Sequence, residues 1–185
     1  QPQKIIIPDP NHRSLIKLFS KKLEEEKLDV VFPVLHGTFG EDGTIQGLFE
    51  MANIPYVGAG VLGSSVAMDK VVARQLYRFA DIPLVKDALF LWKDFKSLKI
   101  KIIEKIEKHL GYPCFVKPSN MGSSVGISKA HNKKELVKSI ELAGQYDRKV
   151  LIEKAIENAR EIEVSLLGND NPIASVPGEI IPSRE

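Results

Sequence analysis

Cysteine is all but missing from this sequence. Cys114 is the only one in 185 residues, which excludes an intrachain disulfide and a zinc cluster built on cysteines. Inside "PCFVK" it reads as a small buried side chain rather than a catalytic thiol. A surplus of one charge is missing too. There are 26 basic and 24 acidic residues, for a net charge of +2, and the basic ones are scattered, so no nucleic-acid footprint is present. No apolar run approaches membrane-spanning length, and the opening residues carry no signal-peptide pattern. The expected partners therefore include neither nucleic acid nor a membrane, and the expected compartment is the cytoplasm. What remains is an ordinary globular composition, 43% hydrophobic and 27% charged, long enough for one large or two small domains.

Leu15, Ile16, Phe19 and Leu23 recur at helical spacing among Lys and Glu, which predicts a helix over 11–27, with "KKLEEEK" as its solvated face. "DVVFPVL" (29–35) reads as a buried parallel strand. A polar, glycine-rich loop follows, then a short helix in "IQGLFEMA" and a strand in "IPYVG". That order is a βαβ unit, whose ligands gather at the carboxyl ends of the strands. From Met68 the chain predicts an amphipathic helix with Met68, Val71, Val72, Leu76 and Phe79 on its apolar face. "IPLVKDALFL" reads as extended. A second helix is expected from about Asp94, with Ile102, Ile103, Ile106 and Leu110 buried and Gly111 closing it. Strands are expected in "PCFVK", "GISKA", "KVLIEKAI", "EIEVSLLG" and "PIASVPGEII". Asn132 and Glu135 have cap spacing for a helix in "KKELVKSIELAG".

Four stretches could carry chemistry. "KPSNMGSSVGISK" (117–129) is stripped of side-chain bulk, so its backbone N–H groups could turn toward a phosphate; a hairpin turn flanked by surface lysines fits the same residues. It is not a Walker A loop, because Lys117 precedes Gly122 and Gly126. "HGTFGEDGTIQG" (36–47) sets an imidazole and a carboxylate at a strand terminus, where Glu41 could hold an ammonium and His36 could donate to a carboxylate. Helix capping by Asp42 or Thr44 fits that stretch equally. In "VLIEKAIENAREIEV" (150–164), amides at a strand-to-strand hinge could meet a planar base, and Glu161 could accept from ribose hydroxyls; cross-strand ion pairs are the alternative. "GAGVLG" (58–63) matches GxGxxG but lacks an acidic residue at the end of a following strand, so it reads as a glycine-rich crossover rather than a nicotinamide site.

Together these pieces resemble the D-alanine–D-alanine ligases of the ATP-grasp superfamily. The resemblance rests on "LHGTFGEDGTIQGLFEMANIPYVGAGVLGSSVAMDK" (35–70), "FVKPSNMGSSVGISK" (115–129), and "LIEKAI" with "EIEV" (151–164). It implies an α/β chain, α+β in its central part, in which a Rossmann-like βαβ domain over 1–66 precedes an ATP-grasp fold. That fold would comprise a central subdomain over 67–155 and the start of a C-terminal subdomain over 156–185. It implies that His36 and Glu41 lie beside the first D-alanine and that Lys70 and Lys117 reach the nucleotide phosphates. The loop 120–126, with Gly122 and Ser124, would close over those phosphates, and Ser123 would join the catalytic hydrogen-bond network. Glu153, Lys154 and the Ile156 backbone would line the adenine pocket, and Glu161 would hold the ribose. The implied reaction phosphorylates one D-alanine carboxylate with ATP; the amine of a second D-alanine then attacks the acyl phosphate and phosphate leaves. A D-alanine–D-lactate ligase shares every motif present, and a non-catalytic nucleotide-binding module is the reading of another class.

The resemblance has gaps. Residues 1–10 supply no glycine-rich loop bearing a glutamate for the ammonium. The family's substrate-covering loop and the ligands for Mg²⁺ (or Mn²⁺) would lie beyond residue 185. The expectation is a stretch of a longer, homodimeric enzyme that does not turn over by itself.

Overall fold

The computed structural model describes residues 3–19, 22 and 24–181. It falls into two compact units, Gln1–Ala155 and Ile156–Glu185. The first opens with β1 (Lys4–Ile6), β2 (Ser14–Lys17) and β3 (Glu25–Lys27), an antiparallel meander in which Ile5 faces Ile16 and Leu15 faces Glu26. This replaces the helix expected over 11–27; of that helix Ser20, Lys21 and Leu23 lie outside the described residues. The mixed charges of "KKLEEEK" and its neighbours serve across strands instead of along one helix. Lys17 pairs with Glu24 at 2.8 Å, His12 with Glu25 at 3.0 Å, and Lys4 with Glu26. Opposite charges facing across a ladder stabilise it as i,i+4 pairs do a helix.

The two strands expected around the next helix shrink to one parallel bridge, Val31 to Tyr56. The Val31 amide donates to the Pro55 carbonyl at 2.8 Å, and the Val57 amide donates to Val31 at 2.9 Å. The next rung would need an N–H at residue 33, which is proline and has none. The run expected to be buried stays open: Phe32 and Val34 are each 71% exposed. Between the bridge residues runs α1 (Thr44–Met51), whose Phe49 packs with Ala52 and Ile54 in a small core. The strand–helix–strand order is thus kept in its shortest form.

A further helix, α2 (Val61–Met68), begins directly after Gly60, where only a glycine-rich crossover was expected, and Asp69 separates it from α3 (Lys70–Phe79). The buried face of α3 departs in part from expectation: Val71 is buried as expected, but Leu76 and Phe79 are exposed, and Ala73 and Arg74 are buried instead. Then come β4 (Asp87–Leu91), α4 (Trp92–His109), β5 (Cys114–Pro118), β6 (Ser128–Ala130), α5 (Lys133–Tyr146) and β7 (Lys149–Lys154). Helix α4 starts two residues ahead of the expected Asp94, which sits in its first turn. Gly111, at φ 65°, follows its C-cap residue Leu110 in the left-handed region that glycine adopts freely. Helix α5 is capped as expected, with the Glu135 amide donating to Asn132 Oδ1 at 3.0 Å.

The four strands form an antiparallel sheet ordered β4-β7-β5-β6. Side chains alternate across a strand, and this decides where the site lies. On one face Cys114, Val116, Val150 and Ile152 meet Ile103, Ile106, Leu136 and Ile140 of α4 and α5 in the main core. Each fully buried aliphatic residue there contributes about 1.5–3 kcal/mol. The other face carries Phe115, Lys117, Lys149, Leu151 and Glu153, and α3 lies against it. The second unit contains β8 (Glu161–Glu163), β9 (Leu166–Leu167), β10 (Ile173–Ala174) and β11 (Gly178–Ile180). There β8 pairs with β11 and β9 with β10, both antiparallel.

Candidate functional site

The α3 face of the sheet collects ionised side chains at the start of the helix. Asp69 caps α3: its Oδ1 accepts from the amides of Val71 (3.1 Å) and Val72 (3.2 Å) and from the Ser119 hydroxyl (2.6 Å), while Oδ2 pairs with Lys149. Burial pushes this carboxyl up, but the Lys149 ammonium, the Ser119 hydroxyl and the Val72 amide outweigh it and hold Asp69 below the usual range. Lys70, the first helical residue, is thereby fixed over the end of β5. Its amide donates to the Ser119 carbonyl at 3.1 Å and its Nζ to the Met121 carbonyl at 2.6 Å. Half-burial lowers the Lys70 pKa, and the nearby charge of Lys117 lowers it further; Glu153, Asp147 and Asp69 act in the opposite direction. The two lysines are therefore electrostatic neighbours.

Beyond Ser119 the small-residue loop is anchored and then turns. The amide and side-chain nitrogen of Asn120 both donate to Asp147 Oδ2, at 2.7 and 2.8 Å. Ser123 and Ser124 follow at φ 48° and 60°, exposed at the tip, and the Val125 amide donates back to Gly122 at 3.1 Å. Gly126, at φ 72°, returns the chain past Tyr146, where an added Cβ would lie 2.7 Å from a ring carbon. Gly122 rests against the histidine-bearing loop. A Cβ on Gly122 would meet the Gly37 Cα at 3.1 Å and Glu41 Oε2 at 3.4 Å. The candidate phosphate loop and the candidate amino-acid loop are thus in contact.

The amino-acid loop is built on its own hydrogen bonds. Glu41 Oε2 accepts from the Gly37 amide at 2.5 Å, and Asp42 accepts from the amides of Phe39 (2.9 Å) and Thr44 (3.0 Å). The N-cap of α1 is Gly43, with no side-chain cap, so neither Asp42 nor Thr44 takes the capping position; Asp42 instead ties the loop to the first helical amide. Gln46 reaches back from α1 to the Gly40 carbonyl at 3.0 Å. His36 is exposed and, with Glu41, Gln46 and Ser64, lines a cavity of about 430 Å³ walled by Phe32, Val34 and Val57.

Lys117 projects from β5 on the same face as Glu153, and its Nζ lies 2.5 Å from Glu153 Oε2 and 5.7 Å from the centre of the Phe115 ring. Arg74 comes down from α3 onto the other carboxylate oxygen, Oε1, at 2.5 Å. Lys154 diverges from Glu153: as the next residue of β7 it points to the opposite face, where its Nζ donates to the Tyr112 carbonyl at 2.8 Å. Ile156 and Glu161 belong to the second unit, both exposed, with Glu161 opposite Ile180 in the β8–β11 ladder.

The structure thus brings Lys70, Lys117, Gly122, Glu41 and Glu153 into one connected neighbourhood, with Ser123 and Ser124 at the loop tip. Sequence reasoning missed Asp69, Ser119, Asp147, Lys149 and Arg74. The order Asp-then-Lys at a helix start was the available clue to Asp69. Among the described residues no group of three or more His, Cys, Asp or Glu side chains could hold a metal ion.

Comparison with known proteins gives two family matches: the D-ala D-ala ligase N-terminus over residues 3–59 and the D-ala D-ala ligase C-terminus over 76–185. A D-alanine–D-alanine ligase of Heliobacterium modesticaldum is 54% identical over 179 residues, 97% of this chain and 49% of that protein. One from Bacillus velezensis is 54% identical over 171 residues, 91% of this chain and 48% of that protein. Among solved structures, the VanG D-Ala:D-Ser ligase of Enterococcus faecalis superposes with TM-score 0.82 at 37% identity, over 96% of this chain and 49% of that one. The D-alanyl-alanine synthetase A of Vibrio cholerae superposes with TM-score 0.85 at 29% identity, over 99% of this chain and 53% of that one. The chain spans about half the length of the curated relatives it matches. With family matches over most of its length and a fold shared with solved ligases, this chain belongs to the D-alanine–D-alanine ligase family.

Proposed function

We propose that this chain carries nucleotide-binding and first-substrate groups of an ATP-dependent ligase that joins two D-alanines for peptidoglycan synthesis. The observation that supports this most is a glycine-serine loop that leaves the strand bearing Lys117, accepts the Lys70 ammonium at its Met121 carbonyl, and touches the loop of Glu41 through Gly122. Two compact cations beside exposed backbone amides suit a triphosphate. Contact with the second loop is consistent with a small zwitterion bound there lying within reach of the transferred phosphoryl group. Lys70, Lys117 and the amides of 120–126 would neutralise charge spreading over the phosphoryl oxygens, with His36 and Glu41 orienting the amino acid. Ser123, at the exposed tip, would join the network once the loop closes.

Glu153 and Lys154 as adenine contacts, and Ile156 and Glu161 as backbone and ribose contacts, rest on the resemblance, as do the divisions at residues 66/67 and 155/156. So do the use of Mg²⁺ or Mn²⁺, a homodimeric state and a cytoplasmic location. No helix among the described residues is long and apolar enough to cross a membrane.

The test is ATP-dependent phosphate release by the full-length protein with D-alanine alone, and with D-serine or D-lactate as second substrate. D-Alanyl-D-alanine as the main product is expected; a depsipeptide or a D-serine product would redirect the substrate reading. Lys117→Ala should raise the ATP Kd, and an unchanged value would remove Lys117 from the phosphate site.

A further inference from the structure

We propose that Arg74 is a positioning residue for nucleotide binding, acting through Glu153 on the Lys117 ammonium. Asp87 and Glu153 are register partners on the neighbouring strands β4 and β7. Two carboxylates facing one another across a ladder repel, and their side chains are only 13% and 12% exposed. The Arg74 fork resolves this conflict. Its Nε donates to Asp87, Nη1 to Glu153 Oε1 at 2.5 Å, and Nη2 to the Val85 carbonyl at 2.6 Å.

The consequence lies in how the two acids divide their cations. Asp87 has a second partner in Arg78. Glu153 has Arg74 on Oε1 and Lys117 on Oε2. With one oxygen held by the guanidinium, the other is fixed in direction, and it sets where the Lys117 ammonium stands. Without Arg74, Oε1 of Glu153 loses its cation and the undivided charge of the carboxylate falls on Lys117 whether or not Asp87 is charged, while the repulsion between Asp87 and Glu153 lowers stability. The ammonium would then be displaced and less available to an incoming anion. Arg74 itself is buried with its donors engaged, so its influence on a nucleotide is indirect. This inference rests on the proposed phosphate role of Lys117.

The experiment measures ATP affinity by calorimetry and thermal stability by scanning calorimetry on the full-length protein, comparing Arg74→Met, Asp87→Asn and the double variant. Arg74→Met should lower Tm and weaken ATP binding about tenfold, within the range for residues coupled in one network. Adding Asp87→Asn removes the carboxylate that repels Glu153, so most of the lost Tm should return while ATP affinity stays low. A purely structural Arg74 would have both recover together, and that result would overturn the inference. Should Arg74→Met fail to fold, the double variant carries the test alone. Wild type that does not bind ATP would overturn the functional reading and this inference with it. A folded double variant that binds ATP like wild type would overturn this inference only.

Discussion

Replacing Asp69 separates the two jobs its carboxylate performs. Oδ1 caps α3 and accepts the Ser119 hydroxyl; Oδ2 faces Lys149. Loss of a helix cap costs about 1 kcal/mol, loss of the Ser119 hydrogen bond about 1 kcal/mol, and stranding a largely buried lysine about 1–2 kcal/mol more. Asp69→Ala should therefore destabilise by about 3–4 kcal/mol. Asn keeps an oxygen in the Oδ1 position and forfeits only the charge, so Asp69→Asn should cost about 1–2 kcal/mol. For a chain of this size each kcal/mol moves Tm by about 2–4 °C, a separation that scanning calorimetry resolves. The pH dependence gives a second check. Because the folded carboxyl titrates below its unfolded value of 3.8, its stabilising share is complete above that value and is lost as pH falls through the lower, folded one. Asp69→Asn should flatten that acid limb. Equal Tm values for the Ala and Asn variants, or an unchanged acid limb in Asp69→Asn, would refute the division of labour.

The other expectations read different parts of the site. Burial, then the Lys117 charge, holds Lys70 below its ordinary 10.5. Between that lowered value and 10.5 the folded chain binds fewer protons than the unfolded one, so stability rises with pH there. ATP affinity should move the other way, falling at a pH below that of an ordinary lysine as the ammonium is lost; Lys70→Arg should shift the fall upward in a titration of Kd against pH. Gly126→Ala puts a Cβ at φ 72° and 2.7 Å from the Tyr146 ring, and should cost about 1–3 kcal/mol in urea unfolding. Gly47→Ala, in open space within α1, should instead stabilise by up to about 1 kcal/mol. His36→Ala should raise the KM for D-alanine and leave the ATP Kd unchanged; equal losses in both would undo its assignment to the amino-acid side.

What the sequence made legible were segments where local preference and distant packing agree. "CFVKP" alternates cleanly because one face of β5 is core and the other is site, and the Asn132–Glu135 cap is a purely local device. The reading failed where a distant partner decided. Residues 14–17 and 25–27 fall within a stretch of helical spacing, yet pairing of 14–17 with 4–6 on one side and with 25–27 on the other makes both of them strands. The apolar run 29–35 looked like a buried strand, but Pro33 ends its ladder after a single bridge. The apolar face assigned to α3 omitted Arg74, because burial of a cation is dictated by Asp87 and Glu153, which lie 13 and 79 residues away. Candidate ligand groups were legible because they sit in distinctive loops. The residues that hold them were not, because single acids, arginines and serines on regular elements leave no signature.

The pairs Asp69-Lys70 and Glu153-Lys154 show how backbone geometry changes the meaning of one dipeptide pattern. Each places an acid before a lysine beside a candidate site, and in the sequence they look equivalent. At the start of α3 the acid is a cap residue outside the helix and the lysine is its first member. Both therefore turn toward the end of β5, where Ser119 engages the acid's side chain and the lysine's backbone. On β7 the pleat sends consecutive residues to opposite faces, so Glu153 joins Arg74 and Lys117 while Lys154 is spent on the Tyr112 carbonyl. A side-chain role for Lys154 beside Glu153 would require the strand to twist out of its ladder with β5, whereas a backbone role at that position needs no such change. Reading the same two letters at a helix cap and within a strand thus assigns a neighbouring pair to one site in the first case and to two faces in the second.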